Sequence, residues 1–230
     1  YDFIENELLT FMSENYRSLN FRVAIGHGTT ANFINYFLFK NRPVFNAFVA
    51  LSPTLSLEMQ DNLTRRLDLE NEYNTFYYLS TASLDIKRNH KQIMALNTNI
   101  SAIENSSLLY GFNNFDKANH YSLVAQSIHK ALQHIFVVFQ PISKEEYKEH
   151  ILTLETSPVD YLIEKYDTIK NLFGIEKQIL VNDFRAIASA IQKTKQFEYF
   201  KDLGKIADKQ HPNTILASFY MARYYEETGK

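Results

Sequence analysis

Over its first 140 residues the chain alternates short apolar segments with longer segments of helical periodicity, and this alternation constrains the fold most. The apolar segments are nearly continuous in apolar residues, which is typical of strands buried on both faces of a parallel sheet. The predicted strands are Phe21–Ile25, Phe45–Leu51, Thr75–Ser80 and Ser107–Phe112. Because short connections join these strands to helices, the pattern indicates βαβ units and an α/β fold.

The strand signals stop after residue 140, and the remainder of the chain has only helical periodicity. Ser157 and Pro158 indicate a helix start, since serine caps exposed N–H groups and proline fits the first helical position. We therefore predict two domains, an α/β portion at residues 1–140 and an all-α helical extension at residues 141–230.

The last predicted helix has the residue spacing of the first helix of a tetratricopeptide repeat. The residues in this spacing are Met221, Ala222, Tyr225 and Gly229. An ordinary amphipathic helix explains the same spacing about as well. The extension is therefore predicted to be helical, with a tetratricopeptide-like repeat as one alternative.

The composition excludes several classes of function. Hydrophobic residues make up 45% and charged residues 22%, as in ordinary globular proteins, and the net charge is −2. Lysine and arginine are scattered, which argues against a nucleic-acid partner, and no apolar run reaches the ~18 residues of a membrane span. The absence of cysteine excludes disulfides and thiolate metal sites. The compartment stays open, since any targeting signal would lie upstream of residue 1.

The segment from Val23 to Ala31 is the most informative in the sequence. An apolar strand runs into a tight turn of small residues, Gly26-His27-Gly28-Thr29-Thr30, and then into a helix. This is the context of the nucleophile elbow Gly-x-Ser-x-Gly, whose strained turn lifts a serine hydroxyl above the sheet edge. Gly28 occupies the serine position of this motif, and Thr30 occupies the position of the final glycine, where its bulk is expected to disturb the turn. His27 occupies the variable position, and we predict a packing role for it.

Four sequence segments carry a resemblance that extends beyond the elbow motif, and in chain order they cover roughly residues 1–140. They are GHGTTANFINYFL, PVFNAFVALSPTL, TFYYLSTASLD and NHYSLVAQSIHKAL. The chain resembles the bacterial esterase family that includes esterase D and the enterobactin-type siderophore esterases. The resemblance implies the C-terminal half of an α/β-hydrolase fold, from nucleophile to histidine, followed by a helical extension.

The same resemblance implies roles for individual residues. His120 matches the catalytic histidine, Asp85 is the candidate for the acid that orients its ring, and the backbone N–H of Thr29 is the candidate oxyanion donor. Alternatives stay open for the acid, because Asp85 is also placed to cap the next helix and Asp116 is a rival. The resemblance implies neither a cofactor nor a metal, and the other histidines lack metal-ligand spacing.

Two departures from the family pattern bear on activity. Glycine has no hydroxyl, so Gly28 cannot form an acyl-enzyme, and the side chain of Thr29 leaves the elbow in another direction. Only 25 residues precede Gly26, so the early loop that supplies the second oxyanion donor has no visible source. We expect the chain to be a piece of a longer protein.

These observations leave three hypotheses for function. The first is a silenced esterase, a pseudoenzyme that keeps the fold to bind a small ester ligand at the strand ends or to act as a scaffold. The second is an active serine esterase in which Gly28 has replaced the nucleophile. The third is an interaction module that binds a protein partner through its helical extension. The departure at Thr30 as well as Gly28 favours natural divergence.

Overall fold

Four parallel strands form the centre of the first half of the chain in the computed structural model, which describes all 230 residues. The strands pair in the order β1–β2–β3–β4, and every neighbouring pair is parallel. Their bounds are Val23–His27 for β1, Ala47–Leu51 for β2, Thr75–Leu84 for β3 and Leu108–Asn119 for β4. The predicted α/β fold with adjacent parallel strands is confirmed.

A helix precedes the first strand, and one helix follows each strand. The chain opens with a π-helical segment, Phe3–Leu8, that continues into helix α1. Two 3₁₀ helices, Tyr36–Phe39 and Val137–Phe139, follow α2 and α5. The helices of this half are α1 (Leu9–Asn15), α2 (Thr29–Asn35), α3 (Leu57–Asp68), α4 (Lys87–Ser101) and α5 (Leu123–Ile135).

The core lies mainly between one face of the sheet and the apolar sides of α2, α3 and α4. Alternate residues of the strands point to this face, because side chains alternate across a strand. The opposite face carries Phe76 and Tyr78, whose rings contact His134 of α5. The buried residues of the first face are Ala24, Phe48, Ala50, Tyr77 and Leu79 from the strands, with Ile34, Met59, Leu63, Ile93 and Leu96 from the helices.

Burial differs along the sheet from what the continuous apolar runs predict. All residues of β2 are buried, whereas Ile25 of β1 is 46% exposed and most of β4 is only half-buried. The physical reason is position, since β1 and β4 each have a single neighbouring strand in this sheet. The expectation of strands buried on both faces therefore holds for β2 and the buried part of β3, and is wrong for β1 and β4.

The chain divides into two compact units, residues 1–137 and residues 138–230. The second unit contains helices and no strand, so the predicted all-α extension is confirmed. Ser157 caps α7 by accepting a hydrogen bond from the Asp160 N–H at 3.1 Å, with Pro158 at the first helical position. Its helices are α6 (Lys144–Glu149), α7 (Pro158–Phe173), α8 (Val181–Thr194), α9 (Tyr199–Gln210) and α10 (Leu216–Thr228), with a 3₁₀ helix at Ile151–Thr153.

A buried carboxylate organises the second unit. Asp183 is 1% exposed and accepts hydrogen bonds from the Tyr166 hydroxyl at 2.8 Å and the Ile142 N–H at 2.9 Å. The Leu180 N–H donates to the same hydroxyl at 2.8 Å, so these buried polar groups are paired.

The tetratricopeptide-like repeat stays a prediction. No helix of the chain is both long enough and apolar enough to cross a membrane.

Candidate functional site

The residues that the sequence singles out lie at one edge of the sheet, where the carboxyl ends of the strands meet. Gly28 follows β1 directly, Asp85 follows β3 directly, and His120 follows β4 directly. The parallel register aligns these strand ends, with His27 opposite Leu51 and Leu51 opposite Ser80. Open α/β sheets place their ligands at this edge, so its side chains form the candidate site.

Gly28 lies in a tight, strained turn between β1 and α2. Its φ is 60° and its ψ is −119°, a conformation that side-chain-bearing residues adopt only under strain. The turn is held from both sides: the Gly28 N–H donates to Leu51 O at 3.0 Å, and Gly28 O accepts from Thr54 N–H at 3.0 Å and from Asn32 N–H at 3.2 Å. The strand–turn–helix geometry expected for a serine nucleophile is therefore present around a glycine.

A side chain at position 28 would point at His120. A Cβ atom built on Gly28 lies 3.6 Å from His120 Nε2 and 3.8 Å from its Cε1, with no closer neighbour. These are ordinary van der Waals distances, so the position has room for a side chain. A hydroxyl carried on that Cβ would lie near the ring nitrogen that takes the proton in serine hydrolases.

Thr30 supports the elbow, contrary to the expectation that its bulk would disturb it. Its exposed side chain accepts a hydrogen bond from the His27 N–H at 3.0 Å and donates to His27 O at 2.8 Å. The hydroxyl thus bonds the turn that it was expected to crowd. Thr29 is also exposed and begins α2, where its backbone N–H has no acceptor within the helix.

His120 is half-buried in the turn between β4 and α5, and its side chain is 15% exposed. The ring of His27 packs against it with 4.3 Å between ring centroids. His27 Nε2 lies 2.9 Å from the backbone oxygen of His120, within hydrogen-bond distance. His27 therefore fixes both the ring and the backbone of His120, which matches the packing role predicted for it.

Asp85 lies beside His120 and has a fully buried side chain. Its Oδ1 is 2.9 Å from His120 Nδ1 and 2.7 Å from the Ile86 N–H, and its Oδ2 accepts from the Thr81 hydroxyl at 2.8 Å. Burial alone would raise the pKa of this carboxyl, but hydrogen bonds from Ser52, Thr81, His120 and the Ile86 N–H hold the pKa below its ordinary value. Asp85 is therefore ionised at neutral pH.

The alternative readings of the acid do not match this geometry. Helix α4 begins at Lys87 and its capping residue is Ile86, so Asp85 is not its N-cap. Asp116 is exposed, and its carboxylate accepts a hydrogen bond from the Ser83 hydroxyl at 3.5 Å, at the long limit for such a bond. The geometry thus brings Asp85, and not Asp116, against His120.

Ser52 is a residue of this site that the sequence analysis missed. It is buried, and its Oγ lies 2.9 Å from His120 Nδ1, the same ring nitrogen that faces Asp85. The available signal was its position, since Ser52-Pro53 closes β2 at the same sheet edge as the elbow. A Ser-Pro pair after a strand indicates a turn that ends the strand, and this interpretation gives the Ser52 hydroxyl no role in the site.

The arrangement can orient a general base but cannot form an ester with the chain at position 28. With Nδ1 protonated and facing Asp85, the lone pair of His120 Nε2 faces position 28, as in the histidine of a catalytic triad. Gly28 bears no hydroxyl, so the residue that the ring nitrogen faces offers no nucleophilic side chain.

Comparison with known proteins finds the fold among solved structures. No protein-family profile and no curated protein matches the sequence. An uncharacterised protein from Capnocytophaga ochracea superposes with a TM-score of 0.91 at 28% identity, over 100% of this chain and 64% of that one. An IroE-like serine hydrolase from Shewanella oneidensis superposes with a TM-score of 0.63 at 17% identity, over 89% of this chain and 64% of that one.

A siderophore hydrolase, EstA from Aspergillus nidulans, superposes with a TM-score of 0.50 at 14% identity, over 60% of this chain and 57% of that one. The chain spans 64% of the length of the Capnocytophaga and Shewanella proteins. These likenesses show that the chain shares the α/β fold of these proteins.

Proposed function

We propose that the chain is a silenced member of the esterase family, a pseudoenzyme that binds a small carboxylic ester without forming an acyl-enzyme. The single observation that carries the proposal is the pairing of an elbow backbone at Gly28 with an oriented His120–Asp85 pair, in the absence of a hydroxyl. The likeness to an IroE-like serine hydrolase and the geometry at the sheet edge support a carboxylic ester as the ligand class.

The ester would lie at the sheet edge, with its carbonyl carbon near position 28. The N–H of Thr29 is the candidate donor to the carbonyl oxygen, since it begins a helix and is free of an intrahelical acceptor. His120 Nε2 faces the same point from the other side. Without a serine the ester stays intact, because no atom of the chain at position 28 can attack its carbonyl carbon.

The test combines turnover and binding with p-nitrophenyl butyrate. Wild type should release p-nitrophenolate no faster than the His120→Ala variant, since neither has a nucleophile–base pair. In wild type labelled with ¹⁵N, the same ester should shift the amide signals of Gly28, Thr29 and Tyr121. Wild-type turnover that disappears in Thr29→Ala would contradict the proposal, and so would an ester that shifts no signal at this edge.

A second candidate is an active serine esterase whose nucleophile Gly28 has replaced. The open space beside Gly28 favours it, because a Cβ there meets only the His120 ring at 3.6 Å. A natural serine codon at position 28 would support this candidate, and a natural glycine codon would support the silenced form.

A third candidate, a protein-interaction module, draws support from the second unit. Ile215 is 85% exposed next to α10, and Phe219 and Tyr225 of that helix are 54% and 51% exposed. Large apolar side chains grouped on one helix are typical of contact surfaces for another protein. A version lacking residues 211–230 that loses ester binding at the sheet edge would argue against an independent role for this helix.

A further inference from the structure

Ser52 is held in a strained backbone conformation at the centre of the candidate site. Its φ is 42°, in the left-handed region that side-chain-bearing residues rarely adopt, and the residue is fully buried. The neighbours fix this conformation: the Ser52 N–H donates to Ser80 O at 2.9 Å, and the Asn89 side chain approaches Ser52 O at 3.5 Å. Strain of this kind persists where the surroundings impose it, and it clusters at functional sites.

The strained backbone aims the hydroxyl at both members of the acid–base pair. Ser52 Oγ lies 2.9 Å from His120 Nδ1, and its hydroxyl is one of the groups that hold the pKa of the Asp85 carboxyl below its ordinary value. An ionised carboxylate only accepts hydrogen bonds, so the hydroxyl donates its hydrogen to Asp85. The lone pairs of Ser52 Oγ then remain for the proton on Nδ1.

Two acceptors thus converge on one ring nitrogen. Asp85 Oδ1 and Ser52 Oγ each lie 2.9 Å from His120 Nδ1. The ionised carboxylate only accepts, which places the proton on Nδ1, and a Ser52 hydroxyl that donates to Asp85 accepts from the same N–H. A ring rotated by half a turn would lose both contacts. The partner of one imidazole nitrogen decides which nitrogen carries the proton, so Nε2 is left as the base that faces Gly28.

We infer that Ser52 is a positioning residue, which acts through Asp85 and His120 to hold the imidazole in the Nδ1–H form with Nε2 toward position 28. This inference rests on the proposed function, since it concerns the same acid–base pair. Ser52 does not itself act on the ligand, because its hydroxyl is buried behind the ring. The strain at φ 42° is retained for the placement of that hydroxyl.

The test reads the His120 tautomer directly, by long-range ¹H–¹⁵N correlation of the imidazole in wild type and in variants. Ser52→Ala removes the hydroxyl, and Ser52→Gly removes it while also relieving the backbone strain, so a folding defect in the first does not affect the second. Ser80→Ala is the matched control. Ser80 is also fully buried, but its hydroxyl pairs with Ser127 at 2.9 Å. Signals are assigned by their loss in His120→Gln.

Wild type and Ser80→Ala should show the Nδ1–H form at about nine-tenths or more of neutral His120, and both Ser52 variants should drop to about two-thirds. An unchanged tautomer in Ser52→Gly and Ser52→Ala would overturn the role of Ser52, and so would an equal change in Ser80→Ala. The Asp85→Asn variant separates the two proposals. If it leaves the tautomer unchanged, the acid–base pair itself fails; if it alters the tautomer while both Ser52 variants do not, only the role of Ser52 fails.

Discussion

Gly26 and Gly28 lie two residues apart in the same turn, but the structure limits side chains at these two positions in different ways. A Cβ built on Gly26 would lie 2.5 Å from Thr30 O and 2.6 Å from Ala31 N, inside the backbone of α2. A Cβ built on Gly28 meets only the His120 ring, at 3.6 Å. Gly26 is required by the close approach of strand and helix, whereas Gly28 has room for a side chain in the direction of the base.

The comparison teaches that the elbow is a property of the backbone and its packing, separate from the nucleophile. The conformation of position 28 is held by the hydrogen bond that the Gly28 N–H donates to Leu51 O and by those that Gly28 O accepts from the N–H groups of Thr54 and Asn32. The acid–base pair at the ends of β3 and β4 is held by its own contacts. Neither set of contacts uses a hydroxyl at position 28, so both can persist without one.

The largest expected effect is a gain of ester hydrolysis on restoring the hydroxyl. Gly28→Ser in the full-length protein should hydrolyse p-nitrophenyl butyrate on the order of 10²-fold faster than wild type, since losing the serine of a complete triad costs about 10⁶ in kcat. The gain should be smaller than this full factor, because stabilisation of the oxyanion would rest on the Thr29 N–H as the one candidate donor. Adding His120→Ala should remove the gain; a Gly28→Ser protein whose rate ignores that change would exclude His120 as its base.

The second effect is a difference in stability between two alanine variants. Gly26→Ala should lower the free energy of unfolding by about 3 kcal/mol, because the new methyl collides with backbone that cannot move aside. Gly28→Ala should lower it by only about 1–2 kcal/mol, the strain of a side chain at φ 60°. Urea unfolding followed by circular dichroism measures both. Equal losses would show that position 28 is as constrained by packing as position 26.

A smaller effect is expected for the acid, and it depends on pH. Folding lowers the pKa of Asp85 below its ordinary 3.8, so its carboxylate stabilises the folded state above that value, and the contribution is lost as the pH falls through the folded pKa. Asp85→Asn should therefore be destabilised by about 1–2 kcal/mol at pH 7, with the difference from wild type shrinking below pH 3.8. A difference that stays constant from pH 7 to pH 3 would contradict the ionised, hydrogen-bonded carboxylate.

The sequence predicts the sheet well because local patterns determine it. The apolar runs locate all four strands to within a few residues at their starts, but β4 extends to Asn119, seven residues beyond its predicted end at Phe112. The extension is polar, with Asn113, Asp116 and Lys117, and so reads as a loop. It is a strand because it pairs with β3, a long-range contact that the local pattern does not contain.

The residues of the candidate site also separate into those that local patterns predict and those that depend on long-range contacts. The elbow at Gly28 is visible in the sequence because its spacing is local, and the acid and the histidine come from the resemblance. Ser52 was missed because its role depends on a hydroxyl brought against a ring 68 residues away. The support given by Thr30 was missed for a related reason, since its hydrogen bonds to His27 form only once the turn is built.

The central claim is that His120 is oriented as a base toward position 28 and that the hydroxyl it would activate is missing there. Covalent labelling by diisopropyl fluorophosphate tests this claim most directly. The reagent phosphorylates a serine that an aligned histidine activates, and intact-protein mass spectrometry counts the adducts. Wild type should carry no adduct, Gly28→Ser should carry one at residue 28, and Gly28→Ser with His120→Ala should carry none. An adduct in wild type, on Thr29 or Ser52, or a Gly28→Ser protein that stays unlabelled, would contradict the account.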